Sequence, residues 1–125
     1  MIKQIKSSEI KSFIENNPKT VLLDVRTDDE WNTIGKPDTK SLGIKTFFIT
    51  ISQDPSFLKI VKKEINNENQ VLVICAAGGR SIIAANLLVN EGYIAHNISD
   101  GFSGNGQDPG WENSGLPSHK AWFFC

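Results

Sequence analysis

A nucleophile, two glycines and a permanent cation stand together in one short run, Cys75-Ala76-Ala77-Gly78-Gly79-Arg80-Ser81. The two glycines allow the backbone to curl, so that successive N–H groups converge on one anion. A helix that begins near Arg80 would add the positive end of its dipole, and Arg80 itself stays charged. Because the thiolate is the reactive form of cysteine, the run predicts a loop that lowers the thiol pKa of Cys75 and stabilises a thiolate, a persulfide or a bound oxyanion.

A structural interpretation of Cys75 competes with this one. A cysteine at the end of an apolar strand is often a small buried hydrophobic residue, and the glycines would then form only a tight turn. Cys75 does follow the apolar run 71–74, which is typical of a strand covered on both faces. However, open α/β sheets place ligands at the carboxyl ends of their strands, and an inert thiol needs no Gly-Gly-Arg-Ser at a helix start. The pattern favours the functional interpretation.

Helix-like and strand-like segments alternate along the chain. The predicted helices are 8–16, one that opens at the capping box formed by Thr27 and Glu30, one after Pro55 that reaches about Asn66, and 80–91. The predicted strands are 21–24, 46–51, 71–74 and 93–98, and the turn-rich segments 35–41 and 101–115 are predicted loops. Such alternation predicts an α/β fold, with helices on both faces of a parallel central sheet.

Composition narrows the class of protein. The 125 residues fit one domain. With 13 basic and 14 acidic residues and no basic run, the chain has no footprint for nucleic acid. No apolar stretch is long enough for a signal peptide or a membrane span, so we expect a cytoplasmic protein without a membrane partner. The two cysteines and two histidines lack the spacing of metal ligands, and we expect neither a metal nor a cofactor.

Three fragments, in this order and spacing, resemble the motifs of a single-domain rhodanese. They are Leu23-Asp-Val-Arg26 with Glu30-Trp31, then Cys75 to Ser81, then Asn97-Ile-Ser-Asp-Gly-Phe102 with Trp111 and Gly115-Leu-Pro117. The resemblance extends over most of the chain. It implies a rhodanese-like α/β fold with a parallel central sheet of about five strands, in one domain, 1–125. We expect the core to span about 2–117 and the aromatic tail, 118–125, to pack back on it.

The resemblance also implies an activity, the transfer of sulfane sulfur. In such a sulfurtransferase, the Cys75 thiolate takes the outer sulfur of a donor, which is thiosulfate, a persulfide or a polysulfide. A thiol, cyanide or a protein sulfur acceptor then receives that sulfur from the Cys75 persulfide. Residues 76–81 form the loop that binds the substrate anion, so Ala76, Ala77, Gly78, Gly79, Arg80 and Ser81 are candidate site residues. Because Ala76 and Ala77 stand where many members carry a cation or a polar group, a persulfide or polysulfide donor is favoured over thiosulfate.

One acidic and one basic residue, Asp24 and Arg26, are candidate supports for the loop. Asp24 ends a predicted strand, where it could organise the loop from below. The alternative for Arg26 is an internal salt bridge to Glu30, four residues further on. For both Asp24 and Arg26 we favour a structural role.

Cys125 could exchange sulfur with Cys75, although an incidental terminal thiol is the favoured interpretation.

Two other functions stay open. Cysteine phosphatases related to this fold use a Cys-x5-Arg loop that encircles phosphate, whereas Cys75 and Arg80 are separated by four residues. The shorter loop suits a sulfur atom better than a phosphoryl group. A sulfur carrier or interaction module with little turnover is the second alternative, and it overlaps with the enzyme.

Overall fold

A computed structural model of the chain describes residues 2–52 and 54–120, apart from the Lys120 side chain. Its strands are β1 (Lys3–Ile5), β2 (Thr20–Asp24), β3 (Gly35–Pro37), β4 (Thr46–Phe48), β5 (Gln70–Ile74), β6 (Ile94–Ile98) and β7 (Ser118–Lys120). Its α-helices are α1 (Ile10–Asn16), α2 (Asp28–Thr33), α3 (Ser56–Glu64), α4 (Gly79–Asn90) and α5 (Gly110–Asn113). Short 3₁₀ turns cover Ser7–Glu9 and Lys40–Leu42.

Five of these strands form one parallel sheet in the order β1-β6-β5-β2-β4. Side chains of α3 and α4 pack in the hydrophobic cluster on one face, and side chains of α1 and α5 pack in the cluster on the other. The α/β fold, with a parallel five-stranded sheet and helices on both faces, is therefore confirmed.

Residues 71–74 of β5 are apolar without interruption because this part of the strand is buried on both faces of the sheet. Successive side chains of a strand point to opposite faces of the sheet. Val71 and Val73 enter the cluster beneath α3 and α4, whereas Leu72 and Ile74 enter the cluster beneath α1. All four side chains are fully buried, because β5 lies between β6 and β2 in the middle of the sheet. This central strand delivers Cys75 to the carboxyl edge of the sheet.

Several element boundaries differ from the predictions. The predicted strand 46–51 ends at Phe48, because its partner β2 ends at Asp24. Beyond that point, the backbone N–H groups of Ile49 and Ile51 donate to carbonyls at Asp24 and Val25 without continuing the strand. The first α-helix begins at Ile10 rather than near Ser8, because a 3₁₀ turn precedes it.

The sequence patterns missed the shortest elements. Strand β1 has three residues, of which only Ile5 is buried, so it has no apolar period to detect. The segment 35–41 is not all loop, because β3 pairs there with β7 in a small antiparallel sheet. The segment 101–115 likewise contains α5. As for the tail, residues 118–120 pair with β3, and 121–125, including Trp122 and Cys125, lie outside the described residues.

Candidate active site

Cys75 lies directly after β5 and four residues before α4, with its side chain only 1% exposed. The sulfur Sγ lies 3.2 Å from the backbone nitrogen of Gly78, which donates to it, and 3.2 Å from Oγ of Ser81. Gly78 has φ +100° and caps the start of α4. This left-handed turn, which suits glycine, directs the loop back over the sulfur.

Burial and hydrogen bonding act on the Cys75 thiol in opposite directions. Burial raises its pKa, whereas the hydroxyl and backbone N–H of Ser81 and the N–H groups of Gly78 and Ala77 lower it. The net effect is a pKa below the ordinary value for cysteine. The site therefore stabilises the nucleophilic thiolate relative to that of an ordinary cysteine, despite its burial.

The turn that follows β6 packs against the loop by backbone contact. The N–H of Phe102 donates to the carbonyl of Cys75 over 2.8 Å, and the N–H of Ser103 donates to that of Ala76 over 2.9 Å. At Gly101, with φ +60°, an added Cβ would lie 2.3 Å from the Ala76 oxygen, and at Gly78 it would lie 2.4 Å from the Ser99 oxygen. Both glycines are needed because no side chain fits between the two segments. The turn thus fixes the loop from outside.

Asn97, on β6, is a site residue that the sequence analysis did not single out. Its Oδ1 accepts a hydrogen bond from the Ser81 hydroxyl, and Asn97 is 2% exposed. Its Nδ2 lies 3.3 Å from the carbonyl oxygen of Gly78 and 2.8 Å from Oε1 of Gln4. The one available signal is its place at the head of the fragment Asn97–Phe102.

Arg80 forms a two-pronged ion pair with Glu30 of α2. Nη1 lies 2.7 Å from Oε1 and Nη2 lies 2.8 Å from Oε2. The hydrogen bonds from Arg80 hold the pKa of Glu30 at about 2. Hydrogen bonding to Glu30 in turn raises the pKa of Arg80, with a smaller contribution from the charge of Cys75. Arg80 therefore acts on the sulfur through its charge, while Glu30 holds its guanidinium.

Glu30 also completes the predicted capping box, which is confirmed. The backbone N–H of Thr27 donates to Oε1 of Glu30 over 3.2 Å, and the N–H of Glu30 donates to Oγ1 of Thr27 over 3.3 Å. The same carboxylate thus begins α2 and binds Arg80. The capping pattern identified the first role and gave no signal of the second.

Asp24 and Arg26 form a fully buried pair below the loop. Nη2 of Arg26 lies 2.8 Å from Oδ2 of Asp24, and both side chains are 0% exposed. The guanidinium also lies 4.3 Å from the ring centroid of Phe102 and donates to the carbonyl of Gly35. The predicted salt bridge between Arg26 and Glu30 is wrong, because Arg26 turns inward to Asp24 and Glu30 binds Arg80. These contacts are those of a structural support.

An apolar cavity of about 420 Å³ adjoins the site and is lined by Ile51, Ser52, Arg80, Ile83 and Leu87. A larger cavity, of about 550 Å³, lies between β1 and α1 and shares no lining residue with the Cys75 loop. We regard the smaller one as the more relevant, since Arg80 lines it.

Within the described residues, no three His, Cys, Asp or Glu side chains are grouped to hold a metal ion. None of the helices described is long and apolar enough to cross a membrane.

The fold and the loop define a rhodanese-like domain, a class related to sulfurtransferases. The chain belongs to this family, and the family described as the STR4 middle domain matches its residues 4–122. Among its relatives is the uncharacterized protein RP600 of Rickettsia prowazekii, 36% identical over 124 residues that cover 94% of this chain and 97% of the relative. The chloroplastic rhodanese-like domain-containing protein 4 of Arabidopsis thaliana is 31% identical over 93% of this chain, which corresponds to 25% of the plant protein.

Solved structures agree with this assignment. Rv0390 from M. tuberculosis superposes with a TM-score of 0.81 at 29% identity, over 94% of this chain and 96% of that one. The polysulfide-sulfur transferase homodimer of Wolinella succinogenes has a TM-score of 0.71 at 24% identity, over 94% of this chain and 77% of that one. The second likeness concerns the fold alone.

Proposed function

We propose that this protein is a sulfurtransferase in which Cys75 carries a sulfane sulfur between a small donor and an acceptor. The observation that supports this most is the arrangement around Sγ. The Gly78 N–H and the Ser81 hydroxyl both lie 3.2 Å from the sulfur, in a buried loop at the carboxyl end of the central strand. The Gly78 N–H stabilises a negative charge that develops on sulfur, and the Ser81 hydroxyl does the same once it rotates toward Sγ.

In the first step, the Cys75 thiolate attacks the outer sulfur of the donor. A new S–S bond forms to Cys75, and the donor's own S–S bond breaks. The electron pair of the broken bond leaves on sulfite if the donor is thiosulfate, or on a thiolate or shortened polysulfide otherwise. The product is an anionic Cys75 persulfide, whose charge the loop N–H groups stabilise.

In the second step, a nucleophilic acceptor takes the outer sulfur. Cyanide or a thiolate attacks it, the S–S bond to Cys75 breaks, and the electron pair returns to Cys75 as thiolate. Charge balances across both steps without a metal or an external redox partner. A protein thiol can act as the acceptor in the same way.

The immediate surroundings of Cys75 favour a persulfide or polysulfide as the donor. Ala76 is half-buried and Ala77 is exposed, so the loop offers an apolar edge where a sulfite group would need hydrogen bonds. Because Cys75 itself is 1% exposed, a thin chain of sulfur atoms reaches it more readily than a bulky anion. We expect such a free thiol to work in a reducing compartment such as the cytoplasm.

The loop geometry argues against a phosphatase. A phosphate-binding loop uses its arginine to clamp two phosphate oxygens. Here the two terminal nitrogens of Arg80 are both bound by Glu30. Together with the four-residue spacing between Cys75 and Arg80, this pairing leaves the guanidinium unsuited to clamp a phosphate.

A turnover assay tests the proposal. Wild-type protein, Cys75→Ser and Cys125→Ser are each given thiosulfate or inorganic polysulfide as donor and cyanide as acceptor, and thiocyanate is measured. We expect turnover by wild type and Cys125→Ser, faster with polysulfide, and none by Cys75→Ser. Absence of thiocyanate, together with hydrolysis of an aryl phosphate by the wild type, would replace this function with the phosphatase.

A further inference from the structure

The hydrogen bonds around Ser81 leave one proton for two acceptors. Oγ of Ser81 lies 3.2 Å from Sγ of Cys75 and is also hydrogen-bonded to Oδ1 of Asn97. A serine hydroxyl carries a single proton, so it donates to only one of these neighbours at a time.

The orientation of the Asn97 amide decides which neighbour receives the proton. A backbone carbonyl only accepts hydrogen bonds, and the carbonyl oxygen of Gly78 lies 3.3 Å from Nδ2 of Asn97. The amide NH₂ group must therefore face Gly78, which leaves Oδ1 facing Ser81. Since Oδ1 has no proton to give, the Ser81 hydroxyl is the donor of that bond.

This arrangement satisfies every group while Cys75 is a thiol. The S–H donates to Oγ of Ser81, the Ser81 O–H donates to Oδ1 of Asn97, and the Asn97 NH₂ group donates to Gly78 and Gln4. The result is a continuous chain of donors and acceptors from the sulfur to strand β1.

Ionisation of the sulfur breaks this chain. If the Ser81 hydroxyl stays on Asn97, a lone pair of Ser81 faces the negative sulfur. If the hydroxyl turns to the sulfur, Oδ1 of Asn97, in a residue only 2% exposed, loses its donor. Either outcome reduces the stabilisation that Ser81 gives the thiolate, because an unsatisfied buried polar group is unfavourable.

We propose that Asn97 is a positioning residue that holds the Ser81 proton away from Cys75 and so withholds, until the hydroxyl rotates, part of the stabilisation that Ser81 can give the thiolate. Its meaning for sulfur transfer rests on the proposed function, since a persulfide also leaves Sγ without a proton and draws the hydroxyl over. Asn97 would then restrain ionisation at rest and reduce oxidation of the sulfur, because oxidation follows thiolate character.

Charged groups around the loop must stay constant in a test. Arg80 on α4 interacts with the charge of Cys75, Glu30 of α2 neutralises Arg80, and the Asp24–Arg26 pair lies at the carboxyl end of β2. Asp100 lies in the turn that packs on the loop and accepts from the backbone N–H groups of Ser7 and Gly110. Substitution of Asn97 by leucine changes none of these groups.

The experiment measures the pH dependence of Cys75 modification by methyl methanethiosulfonate, in full-length protein that carries Cys125→Ser. Asn97→Leu keeps a similar volume but removes the acceptor, so the freed Ser81 hydroxyl donates to the thiolate. We expect the apparent pKa of Cys75 to fall by about one unit, which corresponds to one hydrogen bond of about 1.4 kcal/mol. Asn97→Asp places a charged, stronger acceptor at the same point, so we expect the pKa to rise.

Substitution of Ser81 supplies the matched control. In the Ser81→Ala background no hydroxyl remains to rotate, so Asn97→Leu should leave the apparent pKa of Cys75 unchanged. A merely structural role for Asn97 would instead shift the pKa in the same direction in both variants and in both backgrounds, and that result would overturn the proposal. If Asn97→Leu does not fold, as judged by circular dichroism, Asn97→Asp with and without Ser81→Ala decides. A rise that is undiminished by Ser81→Ala then contradicts it.

The outcome is separable from the proposed function. Modification by the reagent needs no sulfur donor or acceptor, so the shift would appear even in a protein that transfers no sulfur. Conversely, Cys75 could load sulfur normally while Asn97→Leu leaves its pKa unchanged, which would overturn this inference alone.

Discussion

Two arginine–carboxylate pairs flank the Cys75 loop, and they differ in burial. The Asp24–Arg26 pair lies beneath the loop with both side chains 0% exposed. The Glu30–Arg80 pair lies at the edge of the loop, where the Arg80 side chain is 39% exposed and that of Glu30 is 19% exposed. Both pairs are two-pronged, yet their surroundings give them different parts in the site.

Because of this difference in burial, the Asp24–Arg26 pair supports the fold, whereas the Glu30–Arg80 pair affects the pKa of the Cys75 thiol. Arg26 is bound by Asp24, by the Gly35 carbonyl and by the ring of Phe102, so it joins three segments of the fold. Because the Arg26 side chain is fully buried, water cannot solvate its charge. Arg80 reaches solvent and interacts electrostatically with Cys75. Changes in its pairing should therefore alter the pKa of the Cys75 thiol more than the stability of the fold.

Loss of the buried cation should give the largest effect. Arg26→Leu leaves Asp24 buried without its partner, and we expect the free energy of unfolding to fall by about 3–5 kcal/mol in urea titrations. The matched control is the double variant Asp24→Leu/Arg26→Leu, which removes both charges and should regain most of that loss. A loss below about 1 kcal/mol for Arg26→Leu would show that the two pairs do not differ as described.

The half-exposed pair should contribute less, and in a defined range of pH. The folded-state pKa of Glu30, about 2, lies below its ordinary value of 4.5, so its stabilisation is present above pH 4.5 and is lost as the pH falls toward 2. Solvent screening limits it to less than about 1 kcal/mol. In urea titrations, Glu30→Gln should be less stable than wild type at pH 7, and the difference should vanish near pH 2. A difference that persists at pH 2 would exclude ionisation as its source.

The smallest effect concerns the sulfur itself. Arg80→Gln removes a cation whose charge interacts with Cys75, so we expect the thiol pKa of Cys75 to rise by a few tenths of a unit, and by less in high salt. The shift would be followed by thiol modification as a function of pH. Arg80→Lys, which keeps the charge but loses the two-pronged geometry, should show a smaller shift. Equal shifts for both variants would assign the effect to the lost hydrogen bonds with Glu30.

The contiguous part of the site could be predicted from the sequence. Cys75, Gly78 and Arg80 lie within six consecutive residues, so their spacing alone indicates an anion-stabilising turn after a buried strand. The unbroken apolar run of β5 and the alternation of elements likewise predict the parallel sheet, because two-sided burial leaves a direct mark on the pattern.

Contacts between residues that are far apart in the sequence could not be predicted from local patterns. Glu30 is separated from Arg80 by 50 positions, and Asn97 from Ser81 by 16. Their pairing depends on the order of strands in the sheet and on where each strand ends, neither of which local spacing reveals. The Arg26–Glu30 pair fails for a related reason: i,i+4 spacing brings side chains together within a helix, and α2 begins at Asp28, after Arg26.

Mass spectrometry of the Cys75 peptide tests the central claim most directly. Protein carrying Cys125→Ser is incubated with inorganic polysulfide, trapped with an alkylating reagent and digested, and the same is done with the Cys75→Ser variant. The account predicts one added sulfur atom on the Cys75 peptide, lost again when cyanide is added before trapping. An alkylated Cys75 that never carries the added sulfur would contradict the account.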